Sequence, residues 1–143
     1  MASGTNIKKT IPFFWVMNIN QSLHFYINQL GFTIQHQWLD DGKLRWCSIQ
    51  REEAELMLQE FWKKGTEYNL PRSPLGIGVS IYFLCEDAIS LYKEFRSRQA
   101  EAGRPFVGNG MWVTELHDPD GYSLFFESAT DAAEGSLFEG LKG

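Results

Sequence analysis

The sequence predicts an α+β fold in which two tandem βαβββ modules form curved mixed sheets around a cleft. Three observations predict it. An apolar run, a helical stripe and three further strand patterns follow one another over residues 11–62. The same order returns over 76–128, after a breaker-rich stretch at 63–75, and so reads as an internal repeat. A chain of 143 residues, 43% apolar and 22% charged, can bury a core of its own and excludes large multidomain machinery.

The elements follow in order. Residues 11–17 are apolar and aromatic and read as a buried strand, with Pro12 tolerated near its start. Leu23, Tyr26, Ile27 and Leu30 fall at i, i+3, i+4 and i+7, which predicts a helix capped by Asn20 or Ser22 and stopped by Gly31. Residues 32–39 alternate, Asp40-Asp41-Gly42 signals a hairpin, 43–50 return, and 54–61 make a fourth strand. Gly65, Asn69, Pro71, Ser73 and Pro74 mark 63–75 as a linker. Residues 79–84 then restart the pattern, Ala88, Leu91, Tyr92 and Phe95 repeat the helical stripe up to Gly103, and 105–107, 112–117 and 123–127 are strands. Asp118-Pro119-Asp120-Gly121 joins the last two strands. Residues 129–143 carry Leu137, Phe138 and Leu141 as their apolar anchors and read as a frayed tail or a short docking helix.

Thirteen Lys and Arg against eighteen Asp and Glu give a net charge of −5, which repels a phosphate backbone and favours cationic or neutral partners over nucleic acid. No apolar region follows Lys8 and Lys9, and nowhere do eighteen apolar residues run together, so the expectation is a cytoplasmic protein without a membrane partner. Cys47 and Cys85 stand alone without CxxC spacing, as expected of reduced thiols rather than a disulfide or a zinc site. Because one helix covers only one side of four strands, each module leaves a sheet face open. Closing those faces around a cleft calls for pairing within the chain or, as expected here, in a homodimer.

Two segments carry a resemblance. VMNINQSLHFYINQLGF, at 16–32, resembles the strand-to-helix signature of the vicinal oxygen chelate superfamily, the glyoxalase, bleomycin-resistance and extradiol dioxygenase group. HDPDGYSLFFES, at 117–128, resembles its closing turn and final strand, while AELMLQEF at 54–61 and the helix start at Glu86-Asp87 fall where that pattern places them. The resemblance spans about 11–128. It implies, in metal-dependent members, a divalent ion held by His, Gln or Glu from the first and last strand of each module. The matching positions are Ile11, Met57, Ser80 (Val79 if the register slips by one) and Phe125, none of them a ligand of the needed type beyond a weak Ser hydroxyl. No metal and no other cofactor is therefore expected, and His24, His36 and His117 are read as structural or solvated. There is no G-x-S-x-G elbow, Gly-rich phosphate loop or Cys–His pair at motif spacing, and Glu60, Asp87, Glu115 and Glu127 are read as edge or turn carboxylates rather than general bases.

Flat, adaptable apolar surface remains. Trp38, Trp46, Met57, Phe61, Trp112 and Phe125 are the expected ligand-binding residues, with Trp62 beside them, whereas Phe13, Phe14, Phe25, Phe32 and Phe83 are assigned to the core. The reading is of a metal-free small-molecule binding protein resembling the bleomycin-resistance members, sequestering a planar or cationic ligand in an aromatic cleft. The alternative is a lyase, isomerase or dioxygenase of the same superfamily, and a third reading is a ligand sensor or assembly module whose cleft is filled by its own side chains.

Overall fold

A computed structural model describes residues 4, 6–61 and 74–140. Trp62 and nearly all of the expected linker lie outside the described residues. Strands β1 (Phe13–Val16), β2 (Thr33–Asp40), β3 (Lys43–Arg51) and β4 (Ala54–Glu60) form one sheet in the order β1-β4-β3-β2. Strands β5 (Ser80–Leu84), β6 (Phe106–Gly108), β7 (Met111–His117) and β8 (Ser123–Ala129) form a second, ordered β5-β8-β7-β6. Helix α1 (Ile19–Leu23) follows β1 and α2 (Ala88–Ser97) follows β5. Each module is thus βαβββ: its first strand lies at an edge, parallel to its last, and the remaining pairs are antiparallel.

The first helix stops at Gly31 as expected, with φ at 82°, but departs from expectation at its start and in its last turns. Its cap is Asn18, whose Oδ1 accepts from Gln21 N at 3.1 Å, so the helix starts before Asn20 or Ser22. It then widens into a π-helical turn at His24–Gln29, closed by Leu30 N donating to Phe25 O at 3.0 Å. Phe25 and Tyr26 are both buried in this turn. Helix α2 is capped by Asp87 and ends at Ser97 rather than near Gly103. Gln99, at φ 67°, makes the left-handed exit. The tail is neither frayed nor helical over its described part: Leu137 bridges Phe106, and Val107 N and Phe138 N donate to Ser136 O and Pro105 O.

One core joins the two modules, with Phe14, Tyr26 and Leu58 from the first packed with Phe95, Tyr122 and Phe126 from the second. The junction is built by the turn after β7. The Tyr122 ring stacks on Phe14 at 4.1 Å and its hydroxyl donates to Trp15 O at 2.8 Å. Tyr26 Oη donates to Asp118 Oδ2 at 2.8 Å, while Asp118 Oδ1 accepts from Asp120 N and Tyr122 N. Met17 N reaches the Asp120 carboxylate at 3.3 Å. Glycine is required twice here: Gly121 takes φ +86°, and a Cβ on Gly76 would fall 2.2 Å from Tyr122 N. A bidentate pair, Arg51 Nη1 and Nη2 on Glu94 at 2.8 and 2.9 Å, ties β3 to α2 across the same seam. No helix among the described residues is long and apolar enough to cross a membrane.

A candidate ligand-binding face

Strand alternation decides which side chains leave the core. On β1, Phe14 and Val16 point inward, and Phe13 and Trp15 are each 41% exposed on the opposite face. On β4, Leu56, Leu58 and Glu60 are buried beneath α1, which turns Met57 and Gln59 outward beside Phe13 and Trp15, their partners in register. Trp46 on β3 lies opposite both Gln59 and Trp38 of β2, and cross-strand partners share a face. Phe61 completes it, its ring 5.3 Å from Trp15, which is itself 5.7 Å from Phe13.

The open face of the first sheet therefore brings together four expected residues, Trp38, Trp46, Met57 and Phe61. Two more, Phe13 and Trp15, belong there and not in the core. The sequence alone puts Phe13 in the core and marks no role for Trp15, because residues 11–17 are apolar at both parities and offer no alternation to read. Within this face Ser48, opposite Met57 and His36, carries a buried hydroxyl with no hydrogen-bond partner among the described residues.

The second sheet's open face is more polar. Phe125 is stacked on Tyr82 at 4.8 Å, with Glu115 opposite Phe125 and Glu127 two positions along. His117 Nε2 lies 3.2 Å from Glu115 Oε2, and its Nδ1 lies 3.2 Å from Ser123 Oγ. Trp112 does not join this face. It pairs with Ser128, whose Oγ accepts from Ala88 N at the start of α2, so its indole lies on the helix side, edge-on to Phe138 at 6.4 Å. The expectation of a cleft role for Trp112 is corrected accordingly: the docked tail gives it a packing partner that strand position alone does not reveal.

The remaining carboxylates have structural partners. Glu60 accepts from Ile19 N at 3.2 Å and lies 3.3 Å from Arg45 Nη1, and Asp87 caps α2. Cys47 and Cys85 are free thiols, and burial pushes Cys47 up to about 11, well away from nucleophilic duty at neutral pH.

The donor set at the four marked positions does not fit a divalent ion. The register corrects two of these positions: Phe13 rather than Ile11 lies beside Met57, and Tyr82 rather than Ser80 beside Phe125, so each sheet offers hydrocarbon, thioether or phenol where oxygen and imidazole ligands would be needed. Among the described residues no three His, Cys, Asp or Glu side chains group around a common point, and Glu115 with His117 is a pair lacking a third member.

Solved structures share this architecture. A bleomycin resistance determinant encoded on the transposon Tn5 matches with a TM-score of 0.66 at 20% identity, covering 88% of this chain and 100% of that one. TnmS3, an antibiotic binding protein from Streptomyces sp. CB03234, gives 0.63 at 16%, covering 89% and 100%. UcmS2 gives 0.68 at 14%, covering 86% and 100%. At such identities the likeness establishes the fold alone. No curated relative matches the sequence. The family model matches residues 10–126, nearly the whole of both modules, and the chain belongs to the glyoxalase/bleomycin resistance protein/dioxygenase superfamily.

Proposed function

We propose that this protein binds a planar or cationic small molecule without transforming it and without a metal, in the manner of a bleomycin-resistance protein. The observation that carries the reading is the open face of the first sheet, where Phe13, Trp15, Trp38, Trp46, Met57 and Phe61 gather on one side of four strands. Rings presented on a rigid sheet stack on a flat ligand at little conformational cost and attract a cation through their faces. The second sheet's open face adds Glu115 and Glu127 beside the Tyr82–Phe125 stack, a wall of the opposite character that suits a positively charged group. An antibiotic-binding protein and a bleomycin resistance determinant among the structural relatives support the same reading. An enzymatic reading finds its footing in the Glu115–His117 contact, and turnover lost in a Glu115→Gln variant would favour it.

Tryptophan fluorescence titrated with bleomycin-type and acridine cations tests the binding reading. Trp46→Ala and Trp15→Ala are expected to weaken binding by about 1 to 3 kcal/mol each with small changes in stability. Trp112→Ala should leave affinity unchanged and lower the melting temperature instead, since it removes packing against Phe138. Affinity is expected to be the same with and without chelator, and purified protein to carry no stoichiometric metal. Quenching that needs added Zn, Ni, Mn or Fe would overturn the metal-free reading.

The open faces are proposed to close on a second copy of the chain, because a face this rich in exposed aromatics is costly to leave in water. Sedimentation at micromolar concentration is expected to give a dimer, and a monomer that still binds ligand would place the whole site within one chain.

A further inference from the structure

The two modules are built alike but joined unequally. The pair Phe13–Met57 occupies in the first sheet the place of Tyr82–Phe125 in the second. Counting outward from those pairs, Phe14 corresponds to Phe83, and Tyr122 to Ala54. At the β1 edge, Tyr122 lays its ring on Phe14 and closes the seam. At the β5 edge the corresponding residue is a methyl group, and a cavity of about 700 Å³ opens there, lined by Ala54, Phe32, Phe83, Phe126 and Leu91 among others. Its floor is aromatic, with Phe83 stacked on Phe126 at 4.5 Å and Phe32 edge-on to Phe83 at 6.4 Å. Glu52, Glu53, Glu86 and Asp87 also line it. The lining guanidinium, Arg51, has both terminal nitrogens committed to Glu94 and Leu30 O, so the carboxylates set the sign of the field at the opening.

We propose that this seam cavity is a second ligand site, taking one aromatic ring in the place of the missing tyrosine and an attached ammonium group among the carboxylates. The ring stacks against Phe83 as Tyr122 stacks against Phe14, and the cation remains at the wetter rim. The site lies off the aromatic face of the first sheet and shares only Tyr82 with the surfaces used in the proposed function.

Tyramine is the probe, with uncharged p-cresol as its control. Amide chemical-shift titration of the full chain is expected to move Ala54, Phe83, Cys85 and Leu91 and to leave Trp38 and Trp46 in place. Cys85 lines the cavity whereas Cys47 is fully buried, so tyramine should also slow alkylation of Cys85 by iodoacetamide. Ala54→Tyr, which copies the other junction, is expected to abolish both effects. Glu53→Gln combined with Glu86→Gln, exposed changes that leave the core intact, should weaken tyramine by about tenfold and p-cresol hardly at all. Unaltered tyramine binding in Ala54→Tyr, shifts confined to Trp38 and Trp46, or no binding up to about 10 mM would each overturn the proposal. Equal affinity for tyramine and p-cresol would overturn its cationic part.

Discussion

Replacing Tyr122 with Ala is expected to cost about 3 to 5 kcal/mol of stability, the range found when a buried aromatic is truncated. Because Tyr122 is 7% exposed and sits in the seam between modules, its removal leaves a void that neither sheet can collapse to fill. The loss includes the ring stack on Phe14 and the hydrogen bond to Trp15 O. Tyr122→Phe separates the two contributions: the stack is kept, and the change should cost only about 1 kcal/mol. For a domain of this size the Ala variant should melt about 10 to 17 °C lower. The consequence extends to the ligand face, since β1 is an edge strand that carries Phe13 and Trp15 and is held on its free side by this turn. Below its lowered midpoint the Ala variant should still bind ligand more weakly than wild type. A Tyr122→Ala protein within about 1 kcal/mol of wild type by denaturant titration would mean that the two modules are stable without their junction.

How much of this was legible in the sequence follows from the range of the interactions involved. Strand and helix order came through because periodicity is local: the stripe Leu23, Tyr26, Ile27, Leu30 and its counterpart Ala88, Leu91, Tyr92, Phe95 need no partner to be recognised. Trp38, Trp46, Met57 and Phe61 could be placed near one another because β2, β3 and β4 are sequential neighbours joined by tight hairpins. Asp41 and Gly42, both at positive φ, set the first of those hairpins. Trp112 could not be assigned to a face without the register that pairs it with Ser128, nor without Phe138, which arrives from the tail. The 118–122 turn reads as a turn and nothing more. Its partners Trp15, Met17 and Tyr26 lie some ninety or more residues earlier, and no local pattern announces a contact at that separation.

That same turn gives the protein its clearest expected pH dependence. Burial pushes the Asp118 carboxyl up to about 6, against the lowering effect of hydrogen bonds from Tyr26, Tyr122 N and Asp120 N. Asp120 is raised as well, chiefly by burial. A carboxyl whose folded value lies above its unfolded value near 3.8 holds a proton in the native state that the unfolded chain has already released. Its contribution to stability is therefore full below about pH 4, falls as pH rises toward 6, and is flat beyond. For Asp118 the swing is about 3 kcal/mol at most. Asp118→Asn imitates the protonated form: its Oδ1 can still accept from Asp120 N and Tyr122 N, and its amide can donate to Tyr26 Oη. The variant is expected to match wild type near pH 4 and to exceed it by about 2 to 3 kcal/mol at pH 7. The difference between the two proteins is the quantity to follow, because the other carboxylates titrate in both and cancel. Glu94, lowered chiefly by its hydrogen bonds with Arg51, acts with the opposite sign, stabilising as pH rises, and is among the groups removed by that subtraction. A difference that stays constant from pH 4 to 7 would show that Asp118 is ionised throughout, its burial compensated by the two backbone donors and the Tyr26 hydroxyl.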